Sequence, residues 1–72
     1  MDFSQRLKEL RQSKKVRQKD LAELFNITPR TWRFYEAGKR EPNIASLIKI
    51  ADYFGISIDF LVGRTDNPQI NK

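Results

Sequence analysis

Apolar residues recur along this chain at three- and four-residue intervals, not in strict alternation, and each run is bounded by capping or turn residues. Phe3, Leu7 and Leu10 set the first helical stripe. Asp2 stands before them as an N-cap, with Gln5 three residues on as the reciprocal partner of a capping box. Arg6, Lys8 and Glu9 are then expected to face water, and Ser13-Lys14-Lys15 closes the helix with two cations at the negative end of its dipole. Val16 is expected to anchor the chain before a second helix carrying Leu21, Ala22, Leu24 and Phe25 on its apolar side.

Asn26 tolerates positive φ and so suits a tight turn, after which Ile27 returns to the core. Thr28 supplies an N-cap and Pro29 occupies the first helical position, where its missing N–H costs nothing. Trp32 and Tyr35 point inward from this third helix, and Gly38 ends it. Asn43 caps a fourth helix with a wide stripe of Ile44, Leu47, Ile48, Ala51 and Phe54, stopped by Gly55. Ser57 caps a last short helix, with Asp59 in its first turn, apolar cover from Ile58, Leu61 and Val62, and Gly63 at its end.

The pattern predicts an all-α chain, a compact five-helix bundle with helices at about 2–13, 17–25, 28–37, 43–54 and 57–62. Seventy-two residues make one domain, 1–63, followed by a polar tail, 64–72. The chain shows no strand pattern, internal repeat or low-complexity run. Within the bundle the stretch from Gln18 to Glu36 stands out. Its two short helices meet at a tight turn, with the small Ala22 available where their axes approach, and Arg30, Arg33 and Phe34 are left pointing outward.

Charge sharpens the interest of that stretch. Of a formal net charge of +5, residues 14–40 carry all, with eight cations against three carboxylates; residues 1–13 contribute +1 and residues 41–72 contribute −1. A solvated basic face on a plain αα-hairpin would show much of this, but coincidence with a bihelical motif favours a polyanionic partner. The chain has no cysteine and no histidine. Disulfides are excluded, the usual nucleophile–base pairs cannot be assembled, and zinc would need all-carboxylate ligation, so neither an enzyme nor a metal or cofactor protein is expected. No apolar run approaches the roughly 20 residues of a bilayer span, and MDFSQRLKEL lacks the apolar centre of a signal peptide, so the expected location is cytoplasmic, without membrane association.

The order Gln18-x-x-Leu21-Ala22, Ile27-Thr28, Tyr35-Glu36-x-Gly38-Lys39-x-x-Pro42, Leu47-x-x-Ile50-Ala51 and Gly55-Ile56-Ser57 resembles the phage-repressor/Cro-like (Xre) helix-turn-helix family over residues 4–63, and FLVGRTDNP is similar to the close of the DNA-binding domain in repressors of low-GC Gram-positive bacteria and their phages. The resemblance implies a lambda-repressor-like fold and a bacterial or phage-encoded, sequence-specific regulator of transcription. Such a protein, expected to be a repressor, binds a palindromic operator in double-stranded DNA as a homodimer. Base contacts would fall to Thr28, Pro29, Arg30, Arg33 and Phe34, with Pro29 and Phe34 packing on thymine methyls. Phosphate contacts would come from Gln18, Lys39 and Arg40, with Lys14, Lys15 and Lys19 as weaker candidates.

The resemblance also implies an ion pair between Arg11 and Glu36. Where the family has a Ser or Thr cap before the second helix, this chain has Arg17, which removes a side-chain cap and adds a cation within reach of a phosphate. Its turn glycine is Asn26, and an aliphatic position of the third helix is Trp32, expected in the core with its N–H in need of a partner. Exposed parts of Ile58, Phe60 and Val62 are the candidate dimer surface. The competing expectation is a protein-interaction module of antitoxin or anti-repressor type that keeps the same fold.

Overall fold

Four of the five helices start where the sequence places a side chain that satisfies an unpaired N–H group. The computed structural model describes residues 2–69. Among them α1 spans Phe3–Ser13, α2 Gln18–Leu24, α3 Pro29–Ala37, α4 Ile44–Phe54 and α5 Ile58–Leu61, with no strand. The Asp2 carboxylate accepts from Gln5 N–H at 3.0 Å while the Gln5 side chain accepts from Asp2 N–H at 3.5 Å. Thr28, Asn43 and Ser57 accept from the amides of Thr31, Ser46 and Phe60. Arg17 at the start of α2 offers no such bond.

The core is built from all five helices. Leu7 of α1, Leu21 and Ala22 of α2, Trp32 and Tyr35 of α3, Ile50 and Ala51 of α4, Ile56 and Leu61 form one buried cluster. α3 packs against α1 and α2, while α5 packs against α1 and α4. Phe25 stacks on Trp32 at 5.8 Å between centroids and meets Tyr53 edge-on at the same distance. Trp32, the largest fully buried side chain, thus seats α3 against the end of α2.

Four expectations are corrected. Leu24, expected on the apolar side of α2, is 58% exposed. Arg6 does not face water: it is buried, with its guanidinium carbon 3.7 Å from the Phe60 ring centroid. The stripe expected on α4 is wider than the face it buries. Ile44 is 74% exposed and Ile48 43%, because the helix turns about 100° per residue and its buried face centres on Leu47, Ile50, Ala51 and Phe54. The segment after Gly63 folds back: Ser57 N–H donates to the Pro68 carbonyl at 3.0 Å, Arg64 N–H to the Asp59 carbonyl at 2.8 Å, and Asp66 meets Arg6 at 3.4 Å. Residues 70–72 of that expected tail lie outside the described residues.

Candidate nucleic-acid interface

The turn between α2 and α3 works through one residue in the left-handed region. Asn26 has φ 58°, which lets Ile27 N–H reach back to the Ala22 carbonyl at 2.9 Å and close the end of α2. Thr28 and Pro29 then restart the chain as α3. The Thr28 hydroxyl is occupied twice, accepting from Thr31 N–H at 3.1 Å and lying 2.9 Å from the Thr31 hydroxyl.

On α3, Trp32 and Tyr35 are buried, so the opposite face belongs to Arg30, Arg33, Phe34 and Ala37. Arg30 and Arg33 are exposed; Phe34 is half-buried, with the Arg30 guanidinium carbon 5.3 Å from its ring centroid. At the end of α3, Gly38 adopts φ 75°, and the Phe34 carbonyl accepts from Lys39 N–H at 2.9 Å and Arg40 N–H at 3.4 Å. Pro42 is buried and pins the following loop. The structure therefore delivers Arg30, Arg33, Lys39 and Arg40 from one helix and the loop that caps it. Among the described residues none of these four forms a salt bridge.

The other face of α3 ends in Glu36, which joins four segments. Its carboxylate accepts from Arg11 Nε at 2.6 Å and Nη2 at 3.1 Å, from Gln18 Nε2 at 3.0 Å and from Trp32 Nε1 at 2.6 Å. Arg11 also donates through Nη1 to the Val16 carbonyl at 3.0 Å. The Glu36 side chain is 5% exposed and that of Arg11 15%. An ionised carboxylate withdrawn from water needs this many donors to offset its lost hydration. The network ties α1, the loop at Val16, the start of α2 and α3 into one unit, and so sets the tilt of α3 against α2.

Reading the sequence one residue at a time missed two of those contacts. The Trp32–Glu36 spacing of four is legible as a helical neighbour pair, but the indole N–H, expected to need a partner, was not matched to Glu36. Gln18 was expected to meet phosphate, yet one of its amide protons is committed to Glu36; because a carboxylate only accepts, the amide nitrogen must face inward and one N–H remains.

Arg17, also expected at phosphate, turns onto Asp20, with Nε–Oδ2 at 3.0 Å and Nη2–Oδ1 at 3.2 Å. That bidentate contact holds the Asp20 carboxyl below its ordinary range, first through the hydrogen bond and then through the charge, and raises Arg17. Lys14 lies 4.9 Å from the Tyr53 ring centroid, over an aromatic face.

A protein-family profile described as "Helix-turn-helix" matches residues 7–61, spanning α2, the turn, α3 and most of the bundle around them. The chain belongs to the Xre-type helix-turn-helix family. Similar helix-turn-helix proteins include the HTH-type transcriptional regulator ImmR of Bacillus subtilis, 33% identical over all of this chain and 57% of its own length. The cryptic phage CTXphi transcriptional repressor RstR of Vibrio cholerae is 37% identical over 96% of this chain and 63% of its own length. The crystal structure of a transcriptional regulator from Listeria innocua superimposes with a TM-score of 0.82 at 39% identity, covering 85% of this chain and 57% of that one. This helix-turn-helix chain spans about three fifths of the length of the curated relatives it matches. Among its described residues no helix is long and apolar enough to cross a membrane, and no group of three or more acidic side chains is placed to hold a metal ion.

Proposed function

We propose that this helix-turn-helix chain is the DNA-binding domain of a cytoplasmic transcriptional regulator, a repressor, which inserts α3 into the major groove of a palindromic operator as a homodimer. The observation that carries the reading is the outward face of α3. It holds two exposed arginines, continues into two fixed backbone amides with cationic side chains, and among the described residues has no carboxylate paired with any of the four. A folded domain has no stabilising use for unpaired cations grouped there, whereas a phosphate backbone does.

Arg30 and Arg33 are the base readers in this proposal, since a guanidinium fork matches guanine O6 and N7. Thr28 and Pro29 lie beside them at the helix start, with Phe34 further along the same face. Lys39, Arg40 and the free N–H of Gln18 position the duplex through phosphates. Arg17 joins them only by releasing Asp20.

One module makes too few contacts for high specificity, which favours two copies with recognition helices about 34 Å apart. The molecule measures 31 × 23 × 20 Å, compatible with that spacing across a two-fold axis. The surface we assign to the second copy is the exposed apolar strip of Ile44, Ile48 and Ile58; Phe60, a candidate from sequence, is covered by Arg6.

Duplex binding across a salt series tests the reading. Log affinity is expected to fall linearly with log salt, with a slope set by the phosphates neutralised. Arg33→Ala should relax preference at one or two base pairs, and Lys39→Ala should weaken all duplexes alike. Binding without a salt slope would overturn the proposal and favour a protein-interaction module instead.

A further inference from the structure

We infer that Phe34 is a positioning residue for Arg30: its ring is the platform that holds the Arg30 guanidinium in a reading orientation, and it does not itself read a base. The inference rests on the proposal that α3 enters the major groove. Arg30 lies four residues before Phe34, one helical turn away on the same face, and its guanidinium carbon stands 5.3 Å from the ring centroid. No carboxylate competes for it among the described residues.

The ring is half-buried, and the Phe34 carbonyl, by accepting from both Lys39 and Arg40 amides, fixes the turn of backbone from which it projects. A guanidinium held over a ring has less freedom left to lose on meeting guanine. The ring face that carries the guanidinium is also unavailable to a thymine methyl. Among the described residues no ring lies against Arg33, so the two arginines are not equivalent readers. The base pair under Arg30 should be the more sharply discriminated of the two.

A double-mutant cycle on the full chain, using a duplex selected from a random pool, tests this. The base pair read by Arg30 is the one at which Arg30→Ala loses discrimination. Phe34→Leu, which keeps bulk but removes the ring, is expected to lower discrimination at that same base pair by about 2- to 5-fold, matching the strength of an exposed cation–π contact. It should change nothing further once Arg30 is alanine. Phe34→Tyr should retain the wild-type preference.

In the free protein, the ring-current shift of the Arg30 side-chain protons should vanish in Phe34→Leu and persist in Phe34→Tyr, with the thermal melt unchanged. Losses that multiply in the double variant, or a preference altered at a different base pair, would show that Phe34 packs on DNA itself and overturn the inference. A wild-type chain that binds no duplex would instead remove the groove-reading proposal on which it rests.

Discussion

Arg11 and Arg6 stand five residues apart on α1, and both withdraw from water, with side chains 15% and 8% exposed, yet they meet opposite surroundings. Arg11 reaches a buried carboxylate through two nitrogens and a backbone carbonyl through a third. Arg6 lies on the Phe60 ring and, among the described residues, meets only the fully exposed Asp66 at 3.4 Å, with no partner for its buried Nε. Burial alone therefore does not make a cation structural. What differs is whether the opposite charge is buried with it, because a partner left in water gives little attraction through its own hydration.

The pair can be broken at either end. Arg11→Met leaves Glu36 a buried carboxylate with only Gln18 and Trp32 as donors, and Glu36→Gln leaves Arg11 without its counter-charge; each is expected to cost about 3–5 kcal/mol. For a domain of this size that lowers the melting temperature by more than about 10 °C, readable by circular dichroism. Arg6→Met is the contrasting substitution. It removes an unsatisfied nitrogen and keeps an aliphatic side chain against Phe60, so stability should stay within about 1 kcal/mol of wild type. A comparable loss in both methionine variants would erase the distinction between the two sites.

Trp32→Phe probes how the Glu36 network shares its load. It deletes one hydrogen bond to a charged acceptor and part of a buried ring, an expected loss of about 1.5–3 kcal/mol. In combination with Glu36→Gln the losses should be less than additive, because the indole then no longer donates to a carboxylate. Additive melts would mean that the indole acts by packing alone.

Arg17–Asp20 supplies a third arginine pair, exposed on both sides, and gives the smallest effect. The Asp20 carboxyl is held below its ordinary value of 3.8, so the stability it lends is present above that value and disappears as pH falls through the lowered folded one. Asp20→Asn should leave the melt near neutral pH almost unchanged and flatten slightly its decline below about pH 4. Added salt should shrink the difference between the two proteins, whereas the Arg11–Glu36 difference should persist in salt because its charges are shielded from solvent ions.

Much of this molecule is legible from its residues. Asp2, Thr28, Asn43 and Ser57 announce helix starts because the capping bond is local, spanning only three residues. Asn26, Gly38 and Gly55 announce stops because few other residues tolerate their backbone angles at low cost. Lys15, at φ 57°, breaks that rule and gave no such signal. On α3 the outward face follows from helical periodicity once Trp32 and Tyr35 are placed inside, so the grouping of Arg30, Arg33 and Phe34 is legible in the sequence.

What sequence could not decide was the partner of each long side chain. Lys, Arg and Gln reach several ångströms from their helix, so a shift in interhelical angle decides whether the head meets water, a ring or a carboxylate. Arg6 went to Phe60, Gln18 turned one proton inward to Glu36, Arg17 took Asp20, and Ile44 with Ile48 fell outside the buried face of α4. Local hydrogen bonding and periodicity, which act over three or four residues, determined the helices and the face that α3 presents. Only the tertiary packing, which brings α1, α2 and α3 together at Glu36, decided which charges are held and which are left free.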